Sequence, residues 1–243
     1  MSSFYTQDLN IKGIESLLRD RHKHTQQKNV LLLDGDRTLS HQDTGYMFGD
    51  LLGIKYQIKS IFESNGYSFD AFRKVQEIYG KLPLDVFNDR SAKVAREVTL
   101  YPGVVEFIKD CIPIAITIIV TSSLQEIWQN ISSINELDIV VIGMNHPEVS
   151  FQVVGKEEKR FISYWFKSLG CRVVSLGDSE LDVGMLSHAD LPIIVVNHRS
   201  NRDLLPLLDR KLYMKQLSFS YPLHQDMANT SLVEILDYLR FQG

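Results

Sequence analysis

Apolar and polar positions along this chain change their period several times, and those changes divide it. Ile11, Ile14, Leu17 and Leu18 recur at helical spacing before a polar run over residues 19–28, which predicts a short amphipathic helix followed by an exposed link. Val30, Leu31, Leu32 and Leu33 then form a continuous apolar run that stops abruptly at Asp34, Gly35 and Asp36. Such a run predicts a parallel strand buried on both faces, with acids at its carboxyl end. Over about residues 46–96 the spacing turns helical and no strand intervenes. Phe48, Leu51, Leu52, Ile58, Ile61 and Phe62 are followed by Phe69, Phe72, Val75 and Ile78, then by Val86, Phe87 and Val94. Turns at Asn65 and Gly66 and over residues 80–83 separate three or four helices.

Strand and helix alternate beyond this segment. The pattern predicts a helix over 104–109, a strand over 114–120, a helix from Leu124, a strand over 139–142 and a short strand near 151–154. A helix over 157–169 places Phe161, Ile162, Trp165, Phe166 and Leu169 on one face. A strand over 172–176, a helix over 183–188, a strand over 193–196 and helical stretches over 203–211 and 231–241 complete the chain. This alternation predicts an α/β fold, a Rossmann-like, mostly parallel sheet with helices on both faces and a helical module inserted after the first strand. The expected organisation is an N-terminal helix and linker over 1–28, an α/β core over 29–44 and 98–243, and the inserted module over 45–97.

Composition changes this picture little. With 243 residues, 44% hydrophobic and 23% charged, the chain has the balance of an ordinary globular protein, which excludes disorder as its main description. It is longer than one typical domain of roughly 100 to 200 residues and short for two, as an insertion requires. Lys and Arg number 26 against 30 Asp and Glu, a net charge of -4, and no basic footprint for nucleic acid is present. The basic cluster Arg19, Arg21, His22, Lys23 and His24 reads as a solvated helix end. Cys111 and Cys171 stand far apart without zinc-ligand spacing, so a reducing cytoplasm is the default expectation. Residues 1–8 lack the apolar core of a signal peptide, and the longest apolar stretch, 112–120, falls far below the roughly 20 residues that span a bilayer. No membrane association is expected, and a monomer or homodimer is.

Ligands of open α/β sheets bind outside the carboxyl ends of the strands, so the residues just past each predicted strand are informative. After the first come Asp34, Gly35, Asp36, Arg37 and Thr38; after the second, Thr121, Ser122 and Ser123. Gly155 and Lys156 lie beside the short strand, and Gly177, Asp178, Ser179, Glu180, Leu181 and Asp182 come after the next. Carboxylates crowded at one edge repel each other unless a hard cation joins them, and an oxygen-rich set suits Mg²⁺. A hydroxyl and an ammonium beside that cation complete a cradle for a phosphoryl group, whose transfer depends on positioning and charge neutralisation.

These four motifs in this order resemble the haloacid dehalogenase (HAD) superfamily, and within it the phosphoserine phosphatase-like group, over about residues 29–200. The resemblance implies a HAD-like core and a Mg²⁺-dependent phosphatase. Asp34 would be the nucleophile that forms an aspartyl-phosphate. Asp36 would protonate the leaving alkoxide and then deprotonate water. Thr121 would hydrogen-bond the phosphoryl group and Lys156 would neutralise it. Mg²⁺ would be held by Asp34, the carbonyl of Asp36 and Asp178, with Asp182 reaching a metal-bound water or orienting Lys156. Ser122 would add a phosphate contact. The sequence departs from the family in two places. Arg37 replaces a small residue before the motif Thr38, either crowding the site or adding a cation, and Ser122 and Ser123 stand where two glycines are common.

The inserted module resembles the cap that closes over small substrates in such phosphatases. Asp43 stands where an acid grips the substrate amine in phosphoserine phosphatases, and Arg73 is the cap residue expected to hold the carboxylate, although as an exposed helix charge it fits equally well. The expected substrate is a small phosphomonoester, with phosphoserine or another phosphorylated amine or amino acid included. A phosphotransferase would use the same residues, and a degenerate member kept for binding or regulation is the remaining alternative.

Overall fold

The computed structural model describes residues 6–23, 25–197, 201–208 and 214–241. Helix α1 (Gln7–Lys23) buries Asn10, Ile14 and Leu18 and leads into β1 (Asn29–Leu33). Four helices follow: α2 (Thr44–Leu51), α3 (Lys55–Asn65), α4 (Phe69–Tyr79) and α5 (Leu84–Glu97). The alternating part consists of α6 (Val104–Cys111), β2 (Ile116–Leu124), α7 (Gln125–Ile134), β3 (Val140–Met144), α8 (Lys156–Ser168), β4 (Arg172–Gly177), α9 (Val183–Ser187), β5 (Leu191–Val195), α10 (Asn201–Leu204), β6 (Lys215–Leu217), β7 (Ala228–Asn229) and α11 (Leu232–Phe241).

The seven strands form one sheet in the order β3-β2-β1-β4-β5-β6-β7, and every pair is parallel. β1 lies between β2 and β4, so Leu31 is matched with Thr117 on one side and Val174 on the other. The chain builds outward from β1 in one direction through β2 and β3, then returns and builds in the other from β4. That reversal beside β1 opens a crevice at the carboxyl ends of β1, β2 and β4, the position where α/β sheets bind ligands.

Residues 30–33 are 0% exposed because both faces of β1 are covered. Leu31 and Leu33 point to the face shared with Phe107, Ile127 and Ile235, while Val30 and Leu32 point to Ile14, Ile162, Phe166 and Met185. The two-residue alternation of a strand thus feeds two cores from one apolar run. Each such side chain stabilises the fold by about 1.5–3 kcal/mol relative to exposure.

Local signals set the four inserted helices. Asp43 caps α2 by accepting from Tyr46 N at 2.8 Å, Gly66 ends α3 at φ 59°, and Ser68 caps α4 by accepting from Ala71 N at 3.2 Å. Phe48 of α2 meets Tyr79 of α4 and Phe87 of α5 at centroid distances of 5.2 and 5.3 Å. A single antiparallel bridge, Ser40 to Leu100, joins the two stretches of chain that leave and re-enter the sheet layer.

The structure differs from the sequence pattern at several places. Residues 151–154 belong to no strand: Val153 pairs with the Asn10 side chain of α1, and the Gln152 carbonyl accepts from Asn145 N just past β3. β6 and β7, of three and two residues, carry Lys215, Gln216 and Asn229 and show no apolar run to detect. Leu169 stands at the end of α8 and is 48% exposed, outside the buried face to which its spacing assigned it. Of the helical stretch expected over 203–211, α10 and a 3-10 turn, Leu205–Leu207, take up the described part, and residues 209–211 lie outside the described residues, as does His24. Among the described residues, no helix is long and apolar enough to cross a membrane.

Candidate active site

The carboxyl end of β1 delivers Asp34, 5% exposed, into the crevice. Its Oδ1 accepts from the ammonium of Lys159 at 2.5 Å and its Oδ2 from Thr38 Oγ1 at 2.9 Å. The same ammonium donates to Asp182 Oδ1 at 2.7 Å. Burial works against the charge on Lys159, but Asp182 and Asp34 outweigh it and hold the lysine well above its ordinary range. For Asp34, burial and the neighbouring Asp182 prevail over the attraction of Lys159 and push the carboxyl up to about 6.

The lysine that contacts Asp34 is therefore Lys159, whereas the sequence led to Lys156 for that place. α8 begins at Lys156, which is half-buried and does not line the crevice. Lys159, Ile162, Ser163 and Phe166 form the stripe at i, i+3, i+4 and i+7 that α8 buries, so the fourth residue of the helix faces the sheet. Counting back along this stripe from Ile162 and Phe166 in the sequence arrives at Lys159.

Two residues after Asp34, Asp36 accepts at Oδ1 from Thr44 Oγ1 at 2.7 Å and from Trp128 Nε1 at 3.1 Å. Burial, followed by the charge of Asp43, pushes its carboxyl up to about 7 against the hydrogen bond from Thr44. Thr44 and Trp128 were not legible as site residues. The indole packs so closely on the loop that a Cβ at Gly35 would lie 2.4 Å from Trp128 Cε2, which is why glycine separates the two acids.

β2 loses its regular pairing with β3 between Val120 and Leu124. The irregularity frees residues 121–123 from the ladder and turns them to the crevice. Thr121 is 1% exposed and accepts from Ser123 N at 3.0 Å, and Ser123 Oγ pairs with Thr44 Oγ1 at 2.8 Å. The buried hydroxyl of Ser122 has no hydrogen-bond partner among the described residues although it lines the crevice. An unpartnered buried hydroxyl costs free energy that a ligand oxygen would recover.

The loop after β4 supplies Asp178 and Asp182. Asp182 Oδ2 accepts from the backbone N–H groups of Asp178 and Ser179 at 3.1 and 2.9 Å, and from Ser179 Oγ at 3.0 Å. Both of its oxygens are thus engaged, one by the loop and one by Lys159. Asp178 Oδ1 accepts from Thr38 Oγ1 at 3.3 Å, and Asn201 anchors the loop by donating to the Asp178 carbonyl at 2.7 Å. Asp34, Asp178 and Asp182 offer carboxylate oxygens that all lie within 4.8 Å of one another. Three buried acids against one ammonium leave an excess of negative charge, and an all-oxygen donor set fits a hard divalent cation. Asp34, Asp178 and Asp182 are the carboxylates that could hold such an ion, and Asp182 is also bound by its own loop and by Lys159.

The substrate residues expected from the sequence separate. Ser122 and Asp43 line the crevice, a cavity of about 510 Å³ under α2–α4, and Arg73 does not. Arg73 lies along its own helix, paired with Asp70 and Glu77. Asp43 is occupied at both oxygens, by the Tyr46 amide and by Arg37 Nη2 at 2.5 Å. Arg37 adopts φ 61° and turns its guanidinium to Asp43, and it lines the crevice as a cation within electrostatic reach of Asp178 and Asp36.

With its all-parallel sheet, the chain shares the fold of solved structures of HAD-family hydrolases, chiefly phosphoserine phosphatases. In particular, the chain is similar to a phosphoserine phosphatase in apo form, with 17% identity, a TM-score of 0.56 and coverage of 87% of this chain and 99% of that one. It is also similar to a HAD-family hydrolase from Salmonella enterica subsp. enterica serovar Typhi, with 17% identity, a TM-score of 0.53 and coverage of 85% and 82%. A third similar structure is the phospho-aspartyl intermediate analogue of phosphoserine phosphatase, with 18% identity, a TM-score of 0.51 and coverage of 88% and 99%. At these identities the likeness is one of fold. No protein-family model matches the chain, and no curated protein matches it in sequence.

Proposed function

We propose that this chain is a Mg²⁺-dependent phosphatase that hydrolyses a small phosphomonoester through an aspartyl-phosphate on Asp34. The observation that carries this reading is the ammonium of Lys159, 1% exposed and shared between Asp34 and Asp182 at one end of the cavity. A buried lysine held against a buried acid is weak as a source of stability, so its presence at a cavity end favours a chemical role. Asp36, Thr121 and Ser122 line the same cavity. A phosphoserine phosphatase of the same fold has been solved as an analogue of its phospho-aspartyl intermediate, which favours the same chemistry here.

In the first step an oxygen of Asp34 attacks phosphorus while the bond from phosphorus to the substrate alcohol breaks, and Asp36 gives its proton to the departing oxygen. In the second, water attacks phosphorus, its proton passes to Asp36, the bond to Asp34 breaks and phosphate leaves. Lys159 neutralises charge on the nucleophile and on the phosphoryl oxygens. Thr121 and Ser122 donate hydroxyl hydrogen bonds to those oxygens. Asp34, Asp178 and the carbonyl of Asp36 would hold Mg²⁺, which when bound neutralises phosphoryl charge. Asp182 orients Lys159, and α2–α5 act as a cap that closes the cavity to bulk solvent while admitting the one water that the second step consumes.

The test is to mix the protein with 4-nitrophenyl phosphate and Mg²⁺, quench in acid and map phosphate by peptide mass. The expected result is acid-stable phosphate on the peptide that contains Asp34. Phosphate release without any phosphorylated peptide, or with phosphate on another residue, would count against the covalent route.

A further inference from the structure

The cavity that holds the reacting groups is also lined by α3. Lys55, Ile58, Lys59 and Phe62 recur at i, i+3, i+4 and i+7, and all four line the space. None of the residues of α3 is fully buried, so its apolar side is left partly open to the cavity. Phe62 stands 5.1 Å from both Tyr67 and Phe72, centroid to centroid, and Tyr67 and Phe72 stack at 6.4 Å with 28° between their planes. All three rings line the cavity. Its volume of about 510 Å³ lies within the roughly 300–1,000 Å³ of pockets that enclose ligands much larger than an amino acid.

The residues expected to grip an amino acid are not free for it, and the cations other than Lys159 that line the cavity, Arg37, Lys55, Lys59 and Arg202, are each paired with a carboxylate. Asp43, the candidate for an amine, is taken by Arg37 and by the Tyr46 amide. Arg73, the candidate for a carboxylate, lies outside the cavity, and Lys55 is paired with Asp50. An aromatic body, by contrast, would find offset and edge-on partners in the three rings.

We infer that the leaving group of the phosphomonoester is an aromatic alcohol whose ring docks on Phe62, Tyr67 and Phe72, and not serine. This rests on the phosphatase reading above and names the substrate class of the same site. The overall reaction joins the ester and water to give the free alcohol and phosphate, with the proton passing through Asp36 as in the steps already described.

The experiment compares kcat/KM for benzyl phosphate, ethyl phosphate and phosphoserine with Mg²⁺. All three lose an alcohol and not a phenol, so leaving-group reactivity does not mask recognition. Benzyl phosphate is expected to exceed both others by roughly tenfold or more, an increment typical of a filled apolar pocket. Tyr67 is 49% exposed, so Tyr67→Ala leaves the core in place; it and Phe62→Leu are expected to bring the benzyl-to-ethyl ratio down several-fold, chiefly through KM. Phosphoserine matching or exceeding benzyl phosphate would overturn the inference and leave the phosphatase reading standing, as would a ratio that both variants leave unchanged. If the wild-type protein released phosphate from none of the three nor from 4-nitrophenyl phosphate, both readings would fall.

Discussion

Asn10 and Val153 exchange two hydrogen bonds: Asn10 Nδ2 donates to the Val153 carbonyl at 2.8 Å, and Val153 N donates to Asn10 Oδ1 at 3.1 Å. A side chain thereby pairs an extended backbone as a neighbouring strand would. The same amide donates to Glu158 Oε1 at 3.2 Å, and Glu158 Oε2 accepts from Gly155 N at 3.0 Å. This links α1 to the first turn of α8, the turn from which Lys159 reaches Asp34.

Replacing Asn10 leaves a buried N–H and a buried C=O without partners. Asn10→Ala is expected to lower stability by about 1–3 kcal/mol, read as a lower urea midpoint at an unchanged slope. An unchanged midpoint would show that α1 does not brace this segment.

Lys159 and Lys156 separate the geometric assignment from the one made by sequence position. Lys159→Ala is expected to reduce phosphate release about a hundredfold or more, as removal of a preorganised charge does, while Lys156→Ala stays within about twofold. Steady-state rates, taken where circular dichroism shows both variants folded, decide between them. The reverse order would reinstate Lys156.

Asp36 predicts a pH dependence of stability in the metal-free protein. Its carboxyl is pushed up to about 7 in the folded state, from an ordinary value of about 4. The stability it contributes is therefore present at low pH and is lost as pH rises from about 4 through about 7. Between about pH 5 and pH 8 the loss amounts to roughly 2–3 kcal/mol, and Asp34, raised to about 6, acts in the same direction. Asp36→Asn is expected to flatten this dependence in thermal melts made with EDTA. A fall of equal size in the variant would assign it to other groups.

The parts of this molecule that the sequence announces are those where one short segment does one job. β1 reads directly because its apolar run is buried on both faces and its acids come at once after it. The inserted segment reads as three or four helices, because pairs such as Phe72 with Val75 and Phe87 with Val94 recur at helical spacing within α4 and α5. Features that depend on a distant partner do not read. Residues 151–154 look like a strand, yet Val153 takes its partner from an asparagine on α1. Trp128 reaches Asp36 only because α7 packs over Gly35, and Lys156 directly follows Gly155 although the rotation of α8 presents Lys159. Arg73 had the right chemistry for a carboxylate, but Asp70 and Glu77 one turn away claim it.

The most direct measurement of the central claim is phosphate release from a panel of alkyl and aryl phosphomonoesters, for the wild-type protein and Asp34→Asn, with Mg²⁺ and after its removal by EDTA. The account predicts turnover by the wild-type protein with Mg²⁺, its loss with EDTA, and a fall of at least about a thousandfold in the variant. No release by the wild-type protein, or release that Asp34→Asn leaves intact, would contradict it.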